Sequence, residues 1–222
     1  MPPEAELGDS EVVQVVRDGY DAVAENYLSY AGQAEGHPRH SWLDELLARL
    51  APASRILELG CGPGVPTALR VVSAGHRLVG VDLSPRQIEL ARRHAPDAEF
   101  INTDMLKLSF EASSFDAVVA FYSIIHVPRR HYAALFERIH HWLRPDGWLL
   151  ASFGTGNSSG WLEEDLLGLG AANWTNSYDP ATTERLLLDA HLLPKKAIEL
   201  TQDEPTGPER WFYVLARNSR ND

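Results

Sequence analysis

Cysteine occurs once, at Cys61, so no intrachain disulfide can form, and this usage fits a reducing compartment. No apolar run approaches the roughly 20 residues that cross a bilayer. The opening stretch MPPEAELGDSE is acidic and lacks a basic segment followed by an apolar run, so it does not read as a secretory signal. Positive charge is scarce: 20 Lys and Arg stand against 31 Asp and Glu, for a net charge of −11, and no basic run exceeds two residues. Nucleic-acid binding draws on many Lys and Arg contacts to phosphate. Neither nucleic acid nor a membrane is therefore an expected partner, and the expected location is cytoplasmic. Metal-ligand spacing is missing as well. The pairs His37/His40 and His140/His141 are joined by no Cys or carboxylate array, so no metal is expected.

What remains is ordinary globular composition, 44% hydrophobic and 23% charged over 222 residues, enough for one domain. Residues 10–50 read as helical. Ser10 is a plausible N-cap, Trp42, Leu43, Leu46, Leu47 and Leu50 form an apolar stripe, and Gly32, Gly36 and Pro38 divide the region into two helices. From residue 54 short Val-, Ile- and Leu-rich runs alternate with helical stretches. Strands are expected at RILELG, HRLVGVDL, AEFINTD, FDAVVAFYS and GWLLASF, with Ser84 capping a helix that begins at Pro85. Residues 154–176 read as a loop-rich stretch. A helix near residues 180–190 and two strand-like runs, KKAIELTQDE and ERWFYVLAR, follow, the runs separated by a tight turn at PTGP. The expected fold is α/β: a Rossmann-like, doubly wound, mostly parallel sheet with an antiparallel C-terminal hairpin and an N-terminal helical cap.

In such sheets ligands bind at the carboxyl ends of the strands where strand order reverses, which directs attention to the first strand and its turn, ILELGCGPG (residues 56–64). Gly60, Gly62 and Gly64 let backbone approach a ligand closely. The second strand ends in Asp82, a carboxylate able to accept from both hydroxyls of a ribose. A dinucleotide site wants G-x-G-x-x-G. Here the pattern is G-x-G-x-G, with Val65 where the third dinucleotide glycine would fall. Glu58, acidic and inside the strand, suits a cationic ligand better than a pyrophosphate. Cys61 sits in the turn without an obvious paired base, as a small packing residue would.

ILELGCGPG followed by LVGVDLSPRQIELAR resembles the first two motifs of the class I S-adenosylmethionine-dependent methyltransferases, of the small-molecule type. NTDMLKL, SSFDAVVAFYSIIHVP and LRPDGWLLASF continue the resemblance, which runs from DGYDAVAENY to the final strand. It implies S-adenosylmethionine as cofactor. Gly60, Gly62 and Gly64, with Glu58 and Cys61 in the same segment, would line its methionine and ribose portion. Asp82 would hold the ribose, Leu83 would pack on the adenine, and Asp104 would contact the adenine amine beside Met105. Phe121 or Tyr122 would pack near the sulfonium, and Tyr20 and Tyr27 would close over the methionine end. Gln87 and Thr103 complete the implied contact set.

His126, just past the fourth strand, is the expected general base, should the acceptor need to lose a proton; a packing or cofactor-contact histidine is the alternative. Trp161, Trp174 and Tyr178 suit an apolar lid over a small substrate, against simple packing of the segment. The expected organisation is one domain, 1–222: a cap (1–50), a cofactor core (54–153), a lid-like insert (154–178) and a C-terminal helix and hairpin (179–222). The expected reaction is in-line methyl transfer to a small molecule, mainly through positioning. The alternatives are a protein that binds S-adenosylmethionine or its demethylated product without chemistry, and a nicotinamide dehydrogenase. Acceptor atom and oligomeric state are not readable from the sequence.

Overall fold

A computed structural model describes residues 7–32, 37–204 and 207–219. Its main sheet has seven strands: β1 (Arg55–Leu59), β2 (Arg77–Asp82), β3 (Glu99–Asn102), β4 (Phe115–Ala120), β5 (Leu143–Gly154), β8 (Leu192–Glu204) and β9 (Gly207–Asn218). The spatial order is β3-β2-β1-β4-β5-β9-β8. The first five run parallel, and β9 enters antiparallel between β5 and β8. The order reverses between β1 and β4, which creates the crevice that the sheet rule anticipates. Of the PTGP turn, Pro205 and Thr206 lie outside the described residues, as does Gly36.

The central strands are buried on both faces, which explains their near-continuous apolar runs. Leu57, Leu59, Val118, Ala120, Leu149 and Ala151 face one core. That core is closed by α6 (Tyr132–Trp142) and α7 (Pro180–Asp189) through Leu135, Phe136, Ile139 and Leu187. Ile56, Leu78, Ala117, Val119 and Leu150 face the other, under α3 (Pro38–Leu47), α4 (Thr67–Ser73) and α5 (Pro85–His94). Ser84 caps α5 as expected: its Oγ accepts from the Gln87 N–H at 3.0 Å.

Two details depart from the sequence reading. Among the described residues the cap holds three helices, not two: α1 (Asp9–Ala22), α2 (Ala24–Gly32) and α3. The extra break falls at Val23, where neighbouring polar groups are drawn toward the sheet. The Gln87 side chain donates to the Tyr20 carbonyl at 3.4 Å, and Asp21 accepts from the Ser84 hydroxyl and the Arg86 N–H. The N-cap is Gly8, not Ser10; its N–H donates to the Glu11 carboxylate at 2.8 Å. Second, the stretch read as loop contains β6 (Ser158–Glu163) and β7 (Asn173–Ser177), a separate antiparallel pair. β7 packs against α1, tying this small sheet to the cap.

Candidate active site

Two adjoining cavities lie at the carboxyl ends of β1, β2 and β4. The narrower, about 90 Å³, runs past Gly60, Gly62, Asp82, Leu83, Thr103, Asp104, Met105, Phe121 and Tyr122 under Val13, Val16, Tyr20 and Tyr27 of the cap. The larger, about 510 Å³, is walled by the small sheet and the C-terminal hairpin, including Trp161, Asn176, Glu204 and Trp211. Both are lined by Tyr20, Tyr27, Tyr122 and His126. These four side chains, from the cap and the segment after β4, ring the passage between the cavities.

Asp82 bridges the turn and the next helix. Its Oδ2 accepts from the Gly62 N–H at 2.8 Å and its Oδ1 from the Ser84 N–H at 2.9 Å. Burial pushes its carboxyl up to about 6, against these two backbone hydrogen bonds. The glycines serve different ends. A Cβ on Gly60 would lie 2.3 Å from the Ser123 Cβ, and one on Gly64 would lie 3.0 Å from the Ala91 Cα of α5. Those two glycines admit the segment after β4 and the helix; Gly62, at φ +51°, presents its backbone to the cavity. Gly64 and Cys61 do not line either cavity. Cys61 is buried, and burial holds its thiol well above the ordinary range, so it is no nucleophile.

Glu58 lies beneath the turn, buried, with one carboxyl oxygen lacking a hydrogen-bond partner. Burial raises its carboxyl to about 8, with Thr67 opposing through a hydrogen bond and Asp82 adding to the rise. Gln87 is buried behind the wall and reaches the Tyr20 carbonyl rather than the cavity. Asp104 lines the cavity and also caps its own turn, accepting from the Leu106 N–H at 2.9 Å. Tyr122 adopts φ +54°, an uncommon backbone state that clusters at functional sites. Its N–H donates to Ser152 Oγ at 2.9 Å, and its hydroxyl meets Tyr213 and Gln202.

His126 Nδ1 lies 2.8 Å from the Trp174 carbonyl and Nε2 lies 2.9 Å from the Tyr20 hydroxyl. A carbonyl only accepts, so Nδ1 carries the proton and Nε2 accepts from Tyr20. Burial pulls the imidazole down to about 4, with the Trp174 hydrogen bond opposing. Both ring nitrogens are therefore engaged, and the ring is neutral near pH 7. This is not the poise expected of a free general base.

The lid residues separate. Trp161 is 42% exposed and lines the larger cavity. Trp174 is 2% exposed and packs with Val12 and Val16. Tyr178 packs edge-on against Tyr132, 5.7 Å between centroids, beneath Arg129. Neither Trp174, in β7, nor Tyr178, just after it, lines either of these cavities, because Trp174 faces α1 and Tyr178 faces Tyr132 of α6.

One residue escaped the sequence reading. Arg39, at the start of α3, is 6% exposed and lines the larger cavity. It donates to the Ala31 carbonyl at 3.0 Å, its Nε has no partner, and among the described residues no carboxylate pairs with it. Arg39 acts on the Glu58 carboxyl electrostatically but makes no ion pair with it, and a buried guanidinium held this way is costly unless a ligand supplies a paired charge. The signal, a lone Arg beside the apolar stripe of α3, stands in GHPRHSW.

Fold and site together define a protein of the doubly wound nucleotide-cofactor class, with a second chamber beside the cofactor crevice. Residues 56–147 match the family described as "Methyltransferase domain". Trans-aconitate 2-methyltransferase of Enterobacter sp. is 43% identical over 112 residues, 49% of this chain and 42% of that protein. A Burkholderia thailandensis 1,6-didemethyltoxoflavin-N1-methyltransferase structure, with its substrate and S-adenosylhomocysteine bound, superposes at TM-score 0.75 over 99% of this chain and 94% of that one, at 22% identity. The [4+2]-cyclase SpnF superposes at 0.71 over 95% and 97%, at 17% identity. Residues 56–147 are thus similar in sequence to the methyltransferase domain family, and the fold is shared with S-adenosylmethionine-dependent methyltransferases. The chain spans about two fifths of the length of the Enterobacter protein and of a Methylocella silvestris ubiquinone biosynthesis O-methyltransferase. No helix among the described residues is long and apolar enough to cross a membrane, and none of their His, Cys, Asp and Glu side chains gather into a metal site.

Proposed function

We propose that the protein transfers the methyl group of S-adenosylmethionine to a small molecule held in the larger cavity. The carrying observation is the ring of Tyr20, Tyr27, Tyr122 and His126 shared by the two cavities. A cofactor lying along the narrower cavity can face an acceptor only through that ring.

The residues suit this cofactor. Its methionine end carries an ammonium and a carboxylate. The unpartnered oxygen of Glu58, beneath the glycine turn, and the unpartnered Nε of Arg39, on the larger cavity that shares Tyr27 with the narrower one, would be their chemical complements. Asp82 would take the ribose hydroxyls with its remaining lone pairs, Leu83 would pack on the adenine, and Asp104 and Met105 would meet its amine edge, all four lining the narrower cavity. When bound, the cofactor supplies an electrophilic sulfonium methyl. The protein contributes alignment and exclusion of water, which can amount to roughly 7–11 kcal/mol of the barrier. His126 serves by orienting Tyr20 rather than by taking a proton. Trp161 forms part of the acceptor wall, and Trp174 acts through its carbonyl.

A cofactor-binding protein without chemistry would have no use for a second chamber of about 510 Å³. A small-molecule acceptor, a single 1–222 unit and a cytoplasmic location belong to the same proposal. Incubation with methyl-labelled S-adenosylmethionine and a fractionated small-molecule extract tests it. Label should appear in a low-mass product. Label in protein or nucleic acid alone, or in no fraction, would refute it.

A further inference from the structure

The methyl group to be transferred would have to face the junction of the two cavities, and Tyr20 lines both. Its orientation is set from a distance. The Asn176 amide of β7 donates to the carbonyls of Ile125 and Val127, at 2.8 and 2.6 Å, on either side of His126. The Trp174 carbonyl of the same strand fixes the His126 tautomer. Strand β7 thus holds the turn and the ring that accepts the Tyr20 hydrogen bond. Tyr20 also stacks edge-on to both Tyr27 and His126, with centroids 5.3 Å apart in each case, so its ring has little room to swing.

We propose that His126 is a positioning residue: by accepting the hydrogen bond that the Tyr20 hydroxyl donates, it leaves the Tyr20 oxygen able only to accept, toward the positively polarised methyl of the sulfonium. The chain then recognises the methylated cofactor in preference to its demethylated product, and β7, which also walls the acceptor cavity through Thr175 and Asn176, sets that preference. A phenol whose proton pointed at the methyl would have the opposite effect. Weak C–H···O contacts of this kind recur in proteins and are individually modest. The inference rests on the methyltransferase reading above.

The test needs no acceptor. Calorimetry gives dissociation constants for S-adenosylmethionine and S-adenosylhomocysteine, and their ratio is the readout. Tyr20→Phe should reduce the preference for the methylated form about three-fold, a size expected for one such contact. His126→Leu, with Tyr20 intact, should reduce it similarly, and the double variant should be no worse than either single one. His126→Gln, which retains an accepting oxygen, should restore part of the preference. A second readout is the proton resonance of a ¹³C-labelled methyl on the bound cofactor. It should lie downfield in the parent protein and move upfield in Tyr20→Phe and His126→Leu. An unchanged ratio and resonance in both variants would overturn the proposal. A response to Tyr20→Phe but not to His126→Leu would overturn the role of His126. Failure of the parent protein to bind either compound would instead refute the methyltransferase reading itself.

Discussion

The Asp82 carboxylate accepts from the Gly62 N–H at 2.8 Å, so the acid at the end of β2 and the middle glycine of the turn after β1 form one unit. Ser84 completes it from the other side at 2.9 Å. Asp82→Asn retains the size but removes the charge and places an N–H₂ group against one of two backbone donors. Affinity for S-adenosylhomocysteine should fall about 30-fold, from the loss of about 2 kcal/mol in charge-assisted hydrogen bonds. Calorimetry of the variant checks this.

Glu58 carries a consequence for protons. With its carboxyl raised to about 8, it is largely protonated near neutrality until a cation arrives. Binding of the cofactor's ammonium should therefore release up to about one proton at pH 7.4. The binding enthalpy, measured in buffers of different ionisation heat, should show that release, and Glu58→Gln should abolish it.

The same shift governs stability. A carboxyl whose folded value exceeds the ordinary 4.5 contributes stability below pH 4.5 and loses it as pH rises through about 8. In the cofactor-free protein Glu58→Gln should therefore raise the melting temperature at pH 8.5 more than at pH 5, a trade of stability for function.

His126 acts on the acid side. Unfolded it titrates near 6.5 and folded near 4, so protonation favours the unfolded chain as pH falls from 6.5 through 4. That difference is about 3 kcal/mol once both values are passed. His37, also held near 4 by burial, acts in the same direction. Denaturant unfolding against pH should show a steep acid limb that His126→Leu makes shallower.

Arg39 separates the two ends of the cofactor. Arg39→Met should weaken S-adenosylhomocysteine at least ten-fold, roughly the loss of one charge-assisted pair. It should leave 5′-methylthioadenosine, which has no carboxylate, nearly unaffected. Equal loss for both compounds would remove Arg39 from the methionine end.

The turn and Asp82 were legible because they are local: a strand, its glycines and the acid at the next strand end all fall within residues 55–82. What escaped depended on tertiary contact. Gly64 read as ligand-facing, yet Ala91 crowds it and it lines neither cavity, while Gly60 lines the narrower one but also admits Ser123; nothing near the turn announces those neighbours. β6 and β7 escaped because GNSSGW and ANWTNS are rich in Gly, Asn and Ser, residues with little strand preference of their own. Their pairing is sustained by α1 and the 124–128 turn. The same packing turned Trp174 and Tyr178 from expected lid into core. The family resemblance points to Tyr20, and the position past the fourth strand points to His126, but only the fold shows one donating to the other.

The central claim is that the crevice above Gly62 and Asp82 holds S-adenosylmethionine. Its most direct test is calorimetric titration of the purified protein with S-adenosylhomocysteine and, in parallel, with NAD. The expected result is single-site binding of S-adenosylhomocysteine that Asp82→Ala abolishes, with no heat from NAD. Binding of NAD alone, or S-adenosylhomocysteine binding indifferent to Asp82, would contradict the account.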